Sequence, residues 1–477
     1  MSDKWIVLKF GGSSVVEPRH WLTIASQIKH KIELGYRPFL VLSALKNVSN
    51  LLEGLIHQAV SGVYQAPISR IKELHYQLAA NLNLEGEQLL TFWFSKLSAV
   101  CGEIHRQGYI EPKQHAKVLA MGELLSSTLG AAYLNQQGID THWKDARQLL
   151  VSKNGSDTYH HFTDAQCYYE AESEPLWGHR LNFADDQHVI VTQGFIASDE
   201  QGETVLLGRE GSDTSAAYFG ALLAASRIEI WTDVPGVFTY NPNLLAEARQ
   251  IPHLGYQQAR RLAKFGAKVL HPRAIAPAEY AAIPVLVRST RHPKLKGSLI
   301  SSSQRFKRDV IGLASETELT RFQLQTLNEA EGARFIELLT EQGYNLILDA
   351  INAQGELLMS YANSDSPEPQ KAQLMALLKY HPEIQKSLNI SYKQALITVI
   401  GQQEGAWIDN LSRSLSKQTT LNSQAQFAYP QLGRFSLLCT HQQCLLWAKY
   451  LHQQSIENNP EADDFGPSWK EIVQSVE

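Results

Sequence analysis

Trp5-Ile6-Val7-Leu8-Lys9-Phe10-Gly11-Gly12-Ser13-Ser14 is the stretch from which the rest of the chain can be read. Trp5–Lys9 is apolar almost throughout and predicts a strand buried on both faces. The two glycines that follow let backbone amides approach an anion closely, and a helix start beyond them would favour phosphate. In open parallel sheets ligands bind beyond the carboxyl ends of the strands, and Lys9 stands at such an end. The loop is not a Walker A loop, because the lysine precedes the glycines and no GK[ST] follows. Taken alone, the motif is equally a strand-to-helix turn with a surface lysine.

Working outward, further strands are predicted at Pro38–Leu42, His188–Thr192, Arg227–Trp231 and Ile283–Val287. Helical patterns fall at Trp21–Leu34, Leu51–Val60, Pro112–Leu134, Asp213–Ala225, Tyr256–Phe265 and Pro272–Tyr280. Strands separated by helices predict an α/β fold with a mostly parallel central sheet covered on both faces. Ser152–Asp186 is polar and reads as a loop excursion with at most a helical turn or two. After the Gly297-Ser298 turn and a strand at Leu299–Ile300, Ser301–Arg308 reads as a linker.

Two βαββ-like units follow. The first has strands at Arg321–Leu327, Asn345–Ala350 and Glu356–Tyr361, with a helix at Glu331–Glu341. The second has strands at Gln394–Gly401, Ala425–Ala428 and Phe435–Cys439, with helices at Ala406–Leu415 and Gln442–Gln453. They predict a duplicated α+β module of the ferredoxin-like kind. The resulting domains are 1–303, 304–456 and a linker or tail at 457–477.

The 477 residues are too many for one core and suit two to four domains at roughly 150 residues each. With 43 Lys and Arg against 48 Asp and Glu, the net charge of −5 offers no electrostatic reason to expect nucleic acid or an anionic membrane as partner. Four cysteines, none in a CxxC pair, exclude a disulfide framework and a zinc ribbon. The N-terminus lacks the pattern of a signal peptide, and no apolar run is long enough to span a bilayer, so a cytoplasmic location is expected.

Three further motifs carry candidate chemistry. Gly208-Arg209-Glu210-Gly211-Ser212-Asp213-Thr214-Ser215 precedes an Ala-rich helix. Capping would explain Asp213 or Thr214, but not Arg209, whose fork suits a carboxylate. Trp231-Thr232-Asp233-Val234-Pro235-Gly236-Val237-Phe238-Thr239 ends a strand in a turn. In Phe265-Gly266-Ala267-Lys268-Val269-Leu270-His271-Pro272 a glycine breaks one helix ahead of a proline-initiated next one. Each could be structural on its own.

Together and in this order, with VLSALKNVSN at Val41–Asn50, MGELLSS at Met121–Ser127 and TQGFIASD at Thr192–Asp199, these motifs resemble the aspartokinases of the amino-acid kinase superfamily. The resemblance covers essentially residues 4–300, and the paired C-terminal modules are similar, more weakly, to that family's regulatory ACT domains. It implies an ATP-dependent phosphotransferase that passes the γ-phosphoryl of MgATP to the β-carboxylate of L-aspartate, the first step of lysine, threonine and methionine biosynthesis. It further implies ATP and Mg²⁺ as cofactors, no metal held by the protein alone, and a homodimer through the ACT-like modules. Lys9 and Lys268 would contact the transferring phosphates, with Asp213 orienting the lysines. Ser43, Ser49, Glu123, Arg209, Ser212 and Asp213 match aspartate-binding positions, with Arg209 suited to the α-carboxylate and Glu123 to the ammonium. Gly11, Gly12, Ser13, Thr232, Asp233 and Phe238 match the nucleotide side.

The sequence departs from the family pattern at several points. Glu210 replaces the usual middle glycine of GRGGSD, and Phe238 a tyrosine. Asn241 and Asn243 stand in place of Asp and Arg, and Arg261 in place of a common acidic residue. In the first ACT-like unit Asp349 is retained, but Ala353, Gln354 and Gly355 replace the TSE groups that would bind an amino-acid effector. Weak or absent inhibition by lysine and threonine is therefore expected. Two other readings stand beside the aspartate kinase: a kinase for another amino acid or a phosphorylated nucleoside, and a binding subunit with little turnover. The chain is also compatible with the kinase part of a bifunctional enzyme.

Overall fold

Strand β1 (Lys4–Phe10) lies inside an eight-stranded sheet and is flanked in parallel by β2 (Tyr36–Leu42) and β7 (Arg227–Thr232). Ile6, Val7, Leu8 and Phe10 are completely buried, as an apolar strand covered on both faces requires. The sheet order is β3-β4-β2-β1-β7-β9-β10-β8. Its other strands are β3 (Thr141–Trp143), β4 (Val189–Gln193), β8 (His253–Leu254), β9 (Val285–Ser289) and β10 (Ser298–Ile300). Among their pairings only β9 with β10 is antiparallel, so the mostly parallel sheet expected from the sequence is present. A small hairpin, β5 (Ile196–Ser198) with β6 (Thr204–Leu206), stands outside it.

This computed structural model describes residues 4–302 except 156, 175–177, 185–187 and 268–269. Beyond them it describes 308–324, 345–347, 356–360, 388–402, 406–417, 427–431, 433–458, 465–476 and isolated residues between 333 and 379. The chain divides into two units. The first is Met1–Val237, Ile251–Arg260 and Val269–Arg305; the second is Phe238–Gln250, Arg261–Lys268 and Phe306–Glu477. Two segments from within the sequence-predicted kinase region thus group with the later residues.

The helices of the first unit are α1 (Pro18–Glu33), α2 (Val48–Val60), α3 (Gln65–Asn81), α4 (Gly86–Gln107), α5 (Pro112–Gln136), α6 (Ala146–Leu149), α7 (Thr158–Thr163), α8 (Gly211–Leu222), α9 (Tyr256–Lys264, whose last turn belongs to the second unit) and α10 (Pro272–Tyr280). Helices α3 and α4 fill a stretch to which the sequence reading assigns no element. Their buried positions, Ile68, Ile71, His75, Leu78 and Ala79, then Leu90, Phe94, Leu97, Cys101 and Ile104, do follow helical spacing. A histidine at a core position and wide polar faces dilute that signal. Helix α5 is buried nearly all round, which suits its place against the sheet and the other helices.

In the second unit, β11 (Val310–Leu324), β12 (Asn345–Leu346), β13 (Glu356–Ser360), β14 (Leu388–Gly401), β15 (Phe427–Gln431) and β16 (Arg434–Thr440) form a sheet in the order β12-β13-β11-β14-β16-β15. Each half repeats the same second-third-first order, and the halves meet through their first strands β11 and β14. Leu319, Leu396 and Leu438 form a shared buried cluster with Ile347 against it. This is the duplicated module expected from the sequence, although β11 starts at Val310 rather than Arg321. Helix α11 (Trp407–Lys417) lies between β14 and β15, and α12 (Cys444–His452) follows β16. Most of the helix predicted at Glu331–Glu341, and the effector-loop positions Asp349, Ala353, Gln354 and Gly355, lie outside the described residues.

The stretch read as a linker or tail with a fragment of helix carries that helix and is tied down in the described part. Trp469 opens α13 (Trp469–Val476), and its backbone N–H donates to the Ala248 carbonyl at 2.8 Å. Gln250 and Pro467 share a backbone bond of 3.0 Å, and the Arg308 guanidinium sits 4.6 Å from the Phe465 ring centre. Two aromatic side chains in an otherwise acidic stretch supply the apolar surface for this docking. Arg261 is likewise structural: its guanidinium donates to the Gly401 carbonyl at 3.1 Å.

Candidate active site

Lys9 is the penultimate residue of β1, with Val41 and Ile230 beside it on the neighbouring strands. Its side chain is nearly buried and ion-pairs with Asp213 in the first turn of α8. Gly11 follows directly, its N–H bonded to the Trp231 carbonyl at 3.1 Å. A Cβ at Gly11 would lie 3.4 Å from Lys9 Nζ, so the ammonium sits against the glycine loop.

Gly12 must be glycine for a different reason. A Cβ there would come within 2.7 Å of the Ala44 carbonyl oxygen. The glycine loop and the loop after β2 are knitted together: Ser43 N–H donates to the Phe10 carbonyl at 3.1 Å, and Lys46 N–H to the Gly12 carbonyl at 3.3 Å. Ser13 is half-buried in this turn. Ser14 was not singled out from the sequence, yet its hydroxyl accepts from Thr290 at 2.7 Å and pins the turn to the strand end after β9.

Helix α5 supplies Glu123. The backbone N–H of Ala44 donates to its Oε1 at 3.2 Å, and Ser126 donates to the Ser43 carbonyl at 2.6 Å, so the helix grips the same loop. Glu123 is 4% exposed, and its Oε2 is buried without a hydrogen-bond partner among the described residues. Burial pushes its carboxyl up to about 8, while the Ala44 amide and the Lys9 charge act in the opposite direction. A carboxyl in that state is a ready counter-group for a cation that enters the pocket.

The third side of the site is the start of α8. Gly194, after β4, lets this helix start approach: a Cβ there would meet Ser212 Cα at 2.7 Å. Ser212 and Asp213 are buried and Arg209 is exposed. Glu210 is half-buried with its backbone in the left-handed region, φ +52° and ψ +31°. Burial first, then the Asp213 charge, raise its carboxyl; Lys9, Arg209 and a hydrogen bond from the His271 backbone lower it. Its side chain is thus partly withdrawn from solvent at the start of α8. His271 is held below its usual value by burial, then by Arg273 and Arg209.

The structure thus brings Lys9, Gly11, Gly12, Ser43, Glu123, Ser212 and Asp213 around one set of strand ends. Thr232 and Asp233 stand at the end of β7, where the Thr232 hydroxyl donates to the Asp233 carboxylate at 3.1 Å. Ser49 is exposed in the first turn of α2. Phe238 belongs to the second unit, where it is 3% exposed and meets the Trp469 ring edge-on at 5.9 Å. The sequence reading matches Phe238 to the nucleotide side, and here its ring packs within the second unit. Lys268 lies outside the described residues. Ser126, Gly194, Thr290 and the His271 amide were not read as site groups. Ser126 and Gly194 sit inside motifs already quoted, but loop-to-loop hydrogen bonds and close approaches leave no mark in composition.

Among the described residues no group of three or more His, Cys, Asp or Glu side chains could hold a metal ion. One or two carboxylates beside a cationic phosphate cradle are nevertheless the set that suits Mg²⁺ carried by a nucleotide, since that ion keeps waters and takes phosphate oxygens. Asp213 and Glu210 fit such a role. No helix among the described residues is long and apolar enough to cross a membrane.

Comparison with known proteins agrees with this geometry. Residues 4–289 match the amino acid kinase family. The bifunctional aspartokinase/homoserine dehydrogenase of Haemophilus influenzae is 34% identical over 306 residues, 62% of this chain but 36% of that protein. Lysine-sensitive aspartokinase 3 of Escherichia coli is 30% identical over 337 residues, covering 69% of this chain and 72% of that one. The chain spans about a third of the length of the bifunctional relatives it matches. The crystal structure of E. coli aspartokinase III in complex with aspartate and ADP superposes with a TM-score of 0.77 at 23% identity, covering 94% of this chain and 99% of that one, which shows a shared fold. With the strand-end lysine, the glycine loop and the α8 carboxylate all placed within the matched residues, the chain belongs to the amino acid kinase family, in its aspartokinase branch.

Proposed function

We propose that the chain is an aspartate kinase, passing the γ-phosphoryl of MgATP to the β-carboxylate of L-aspartate to give 4-phospho-L-aspartate and ADP. The observation that carries this reading is the buried Lys9–Asp213 pair set against the Gly11-Gly12 loop at the strand ends. It is supported by the aspartokinase names of the relatives and by the aspartate and ADP held by the E. coli enzyme of the same fold. The acceptor carboxylate is already ionised near pH 7, so no general base is required. A carboxylate oxygen attacks the γ-phosphorus, and the bond to the β,γ-bridging oxygen breaks, leaving its electron pair on ADP. The obstacle is the approach of two anions, and positioning with charge neutralisation removes it. Mg²⁺, when bound with the nucleotide, supplies part of that neutralisation.

Lys9 stabilises charge on the transferring group, and Asp213 holds the Lys9 ammonium in place. Glu123 receives the substrate ammonium through its unpaired oxygen, and Arg209 the α-carboxylate, with Ser43, Ser49 and Ser212 as hydroxyl contacts. Gly11, Gly12, Ser13, Thr232 and Asp233 face the nucleotide, and Lys268 joins the phosphates. Phe238 is left to packing in its own unit. Residues 1–303 form the catalytic part in this reading and 304–456 the regulatory pair, through which two copies associate in the cytoplasm.

Arg209→Lys keeps the charge and loses the planar fork. In a coupled ADP-release assay it should raise the aspartate KM at least about tenfold and leave the ATP KM within about twofold. A raised ATP KM with unchanged aspartate KM would assign Arg209 to the other ligand.

Regulation is expected to depart from the family habit. Of the effector-loop positions Asp349, Ala353, Gln354 and Gly355, Asp349 alone carries a charge, and a surface ion pair contributes about 1 kcal/mol or less, against the roughly 1–3 kcal/mol of coupling a switch needs. Titration with lysine and with threonine should therefore leave activity nearly unchanged to millimolar concentration. Half-inhibition by either below that range would contradict this.

A further inference from the structure

Asp164 and Arg273 stand 109 residues apart in the chain, and the chemistry above gives neither a task. Asp164 directly follows α7, and Arg273 lies in the first turn of α10. The Arg273 guanidinium grips the Asp164 carboxylate through both terminal nitrogens, Nη2 at 2.7 Å from Oδ2 and Nη1 bonded to Oδ1. The pair lies against Gly208. That residue has φ +70°, and a Cβ there would overlap Asp164 Oδ1 and stand 3.6 Å from Arg273 Nη1. Gly208 immediately precedes Arg209, and its carbonyl accepts from the Gly211 N–H at 3.1 Å to close the turn that carries Arg209. Arg209 is exposed, so the backbone beneath it largely sets where its fork points.

The α7 segment is anchored without this pair. The Ala165 N–H donates to the Leu206 carbonyl at 2.8 Å, the Cys167 N–H donates to the Tyr218 hydroxyl at 3.2 Å, and His161 Nε2 lies 3.1 Å from Asp199 Oδ2. Nor is the pair a strong source of stability, because its side chains are 36% and 33% exposed and such pairs contribute little. What a two-pronged guanidinium–carboxylate contact supplies is direction, since the planar fork fixes both groups relative to each other. Arg273 is itself set by the end of the FGAKVLHP motif, where its backbone N–H donates to His271 Nδ1 at 3.3 Å. The pair therefore joins the Arg209 turn to a segment assigned to the phosphate side.

We propose that the Asp164–Arg273 pair is a latch that holds the Gly208–Arg209 turn in the geometry that receives the substrate α-carboxylate. The inference rests on the task given to Arg209 above and adds two residues to it. Both are positioning residues: they act through Arg209 and touch neither ligand. A binding group displaced by about 1 Å is enough to lose a large factor in substrate use.

The test measures aspartate and ATP KM by ADP release on the full chain for the natural protein, Asp164→Asn, Arg273→Gln and the two combined, and for each of these with Arg209→Ala. Asp164→Asn and Arg273→Gln should each raise the aspartate KM at least about fivefold and leave the ATP KM within about twofold. The combined variant should lose no more than the larger single loss, because either substitution alone opens the latch. It strands no charge, so it keeps the test valid where a single variant melts early. With Arg209→Ala already present, the same substitutions should change the aspartate KM by less than about twofold. An aspartate KM in the combined variant equal to that of the natural protein would overturn the proposal. So would a parallel rise of both KM values, which marks general loosening, or an undiminished effect alongside Arg209→Ala. If Arg209→Ala alone leaves the aspartate KM unchanged, the task given to Arg209 fails and the latch with it. If the natural protein releases no ADP in response to aspartate, the kinase reading itself fails.

Discussion

Lys9→Ala should lower turnover at least about a hundredfold, the scale of loss when one preorganised stabilising group is removed from a transition state. The lysine is nearly buried, so its charge acts through little solvent and needs no reorganisation when charge moves onto the transferring phosphoryl. Removing it also strands Asp213, a buried carboxylate whose ion-pair partner is lost. A drop in stability alone could mimic lost catalysis, and a second variant separates the two. Lys9→Met with Asp213→Asn deletes both charges at similar volume and should melt close to the natural protein while remaining at least as inactive as Lys9→Ala. Turnover near normal in either variant, by ADP release, would remove Lys9 from the mechanism.

Glu123→Gln should raise the aspartate KM at least about a hundredfold and change the ATP KM little, because it removes one member of a buried, hydrogen-bonded charge pair. The state of Glu123 makes the prediction sharper. In the free protein burial holds its carboxyl near 8, so at pH 7 it is mostly protonated. An incoming ammonium favours the ionised form, and aspartate binding at pH 7 should release roughly one proton, measurable by calorimetry in buffers of different ionisation enthalpy. The release should fade above pH 8, where the group is already ionised, and vanish in Glu123→Gln. The aspartate KM should rise as pH falls below about 8, by up to about tenfold per unit, because binding must displace the proton. For stability of the ligand-free chain, a folded value raised above the unfolded one means that stability is full at low pH and is lost as pH rises through about 8. That loss should be smaller in Glu123→Gln. Aspartate binding with no proton uptake or release at pH 7 would contradict the role assigned to Glu123.

Much of the first unit could be read in advance because a buried parallel strand leaves a dense mark. Trp5–Lys9 is apolar almost throughout, Arg227–Trp231 alternates charged with apolar residues, and both appear at the centre of the sheet. Lys9, Asp213 and Glu123 were likewise identifiable, since each sits inside a motif tied to a strand end or a helix start. What the sequence could not show was their physical state. The burial of Glu123 Oε2, which has no partner among the described residues, and the half-burial of Glu210 depend on which neighbours close over them, and those come from distant segments. Phe238 has a motif position suited to a nucleotide, yet Trp469, over two hundred residues away, takes its edge. The partner of Arg261, the Gly401 carbonyl, is likewise 140 residues away. The early start of β11 escaped notice because polar residues such as Ser315 and Glu316 occupy strand positions paired with β14.

The central claim is that the phosphoryl acceptor is a carboxylate of L-aspartate. An acyl phosphate is an activated acyl donor, so hydroxylamine converts it to a hydroxamate and releases phosphate, whereas a phosphate ester does not react in this way. Incubating the full chain with MgATP, L-aspartate and hydroxylamine should yield aspartyl hydroxamate in step with ADP. Omitting aspartate, or replacing it with L-glutamate, should reduce both to background. ADP release that is independent of aspartate, or aspartate-dependent release with no hydroxamate, would contradict the account.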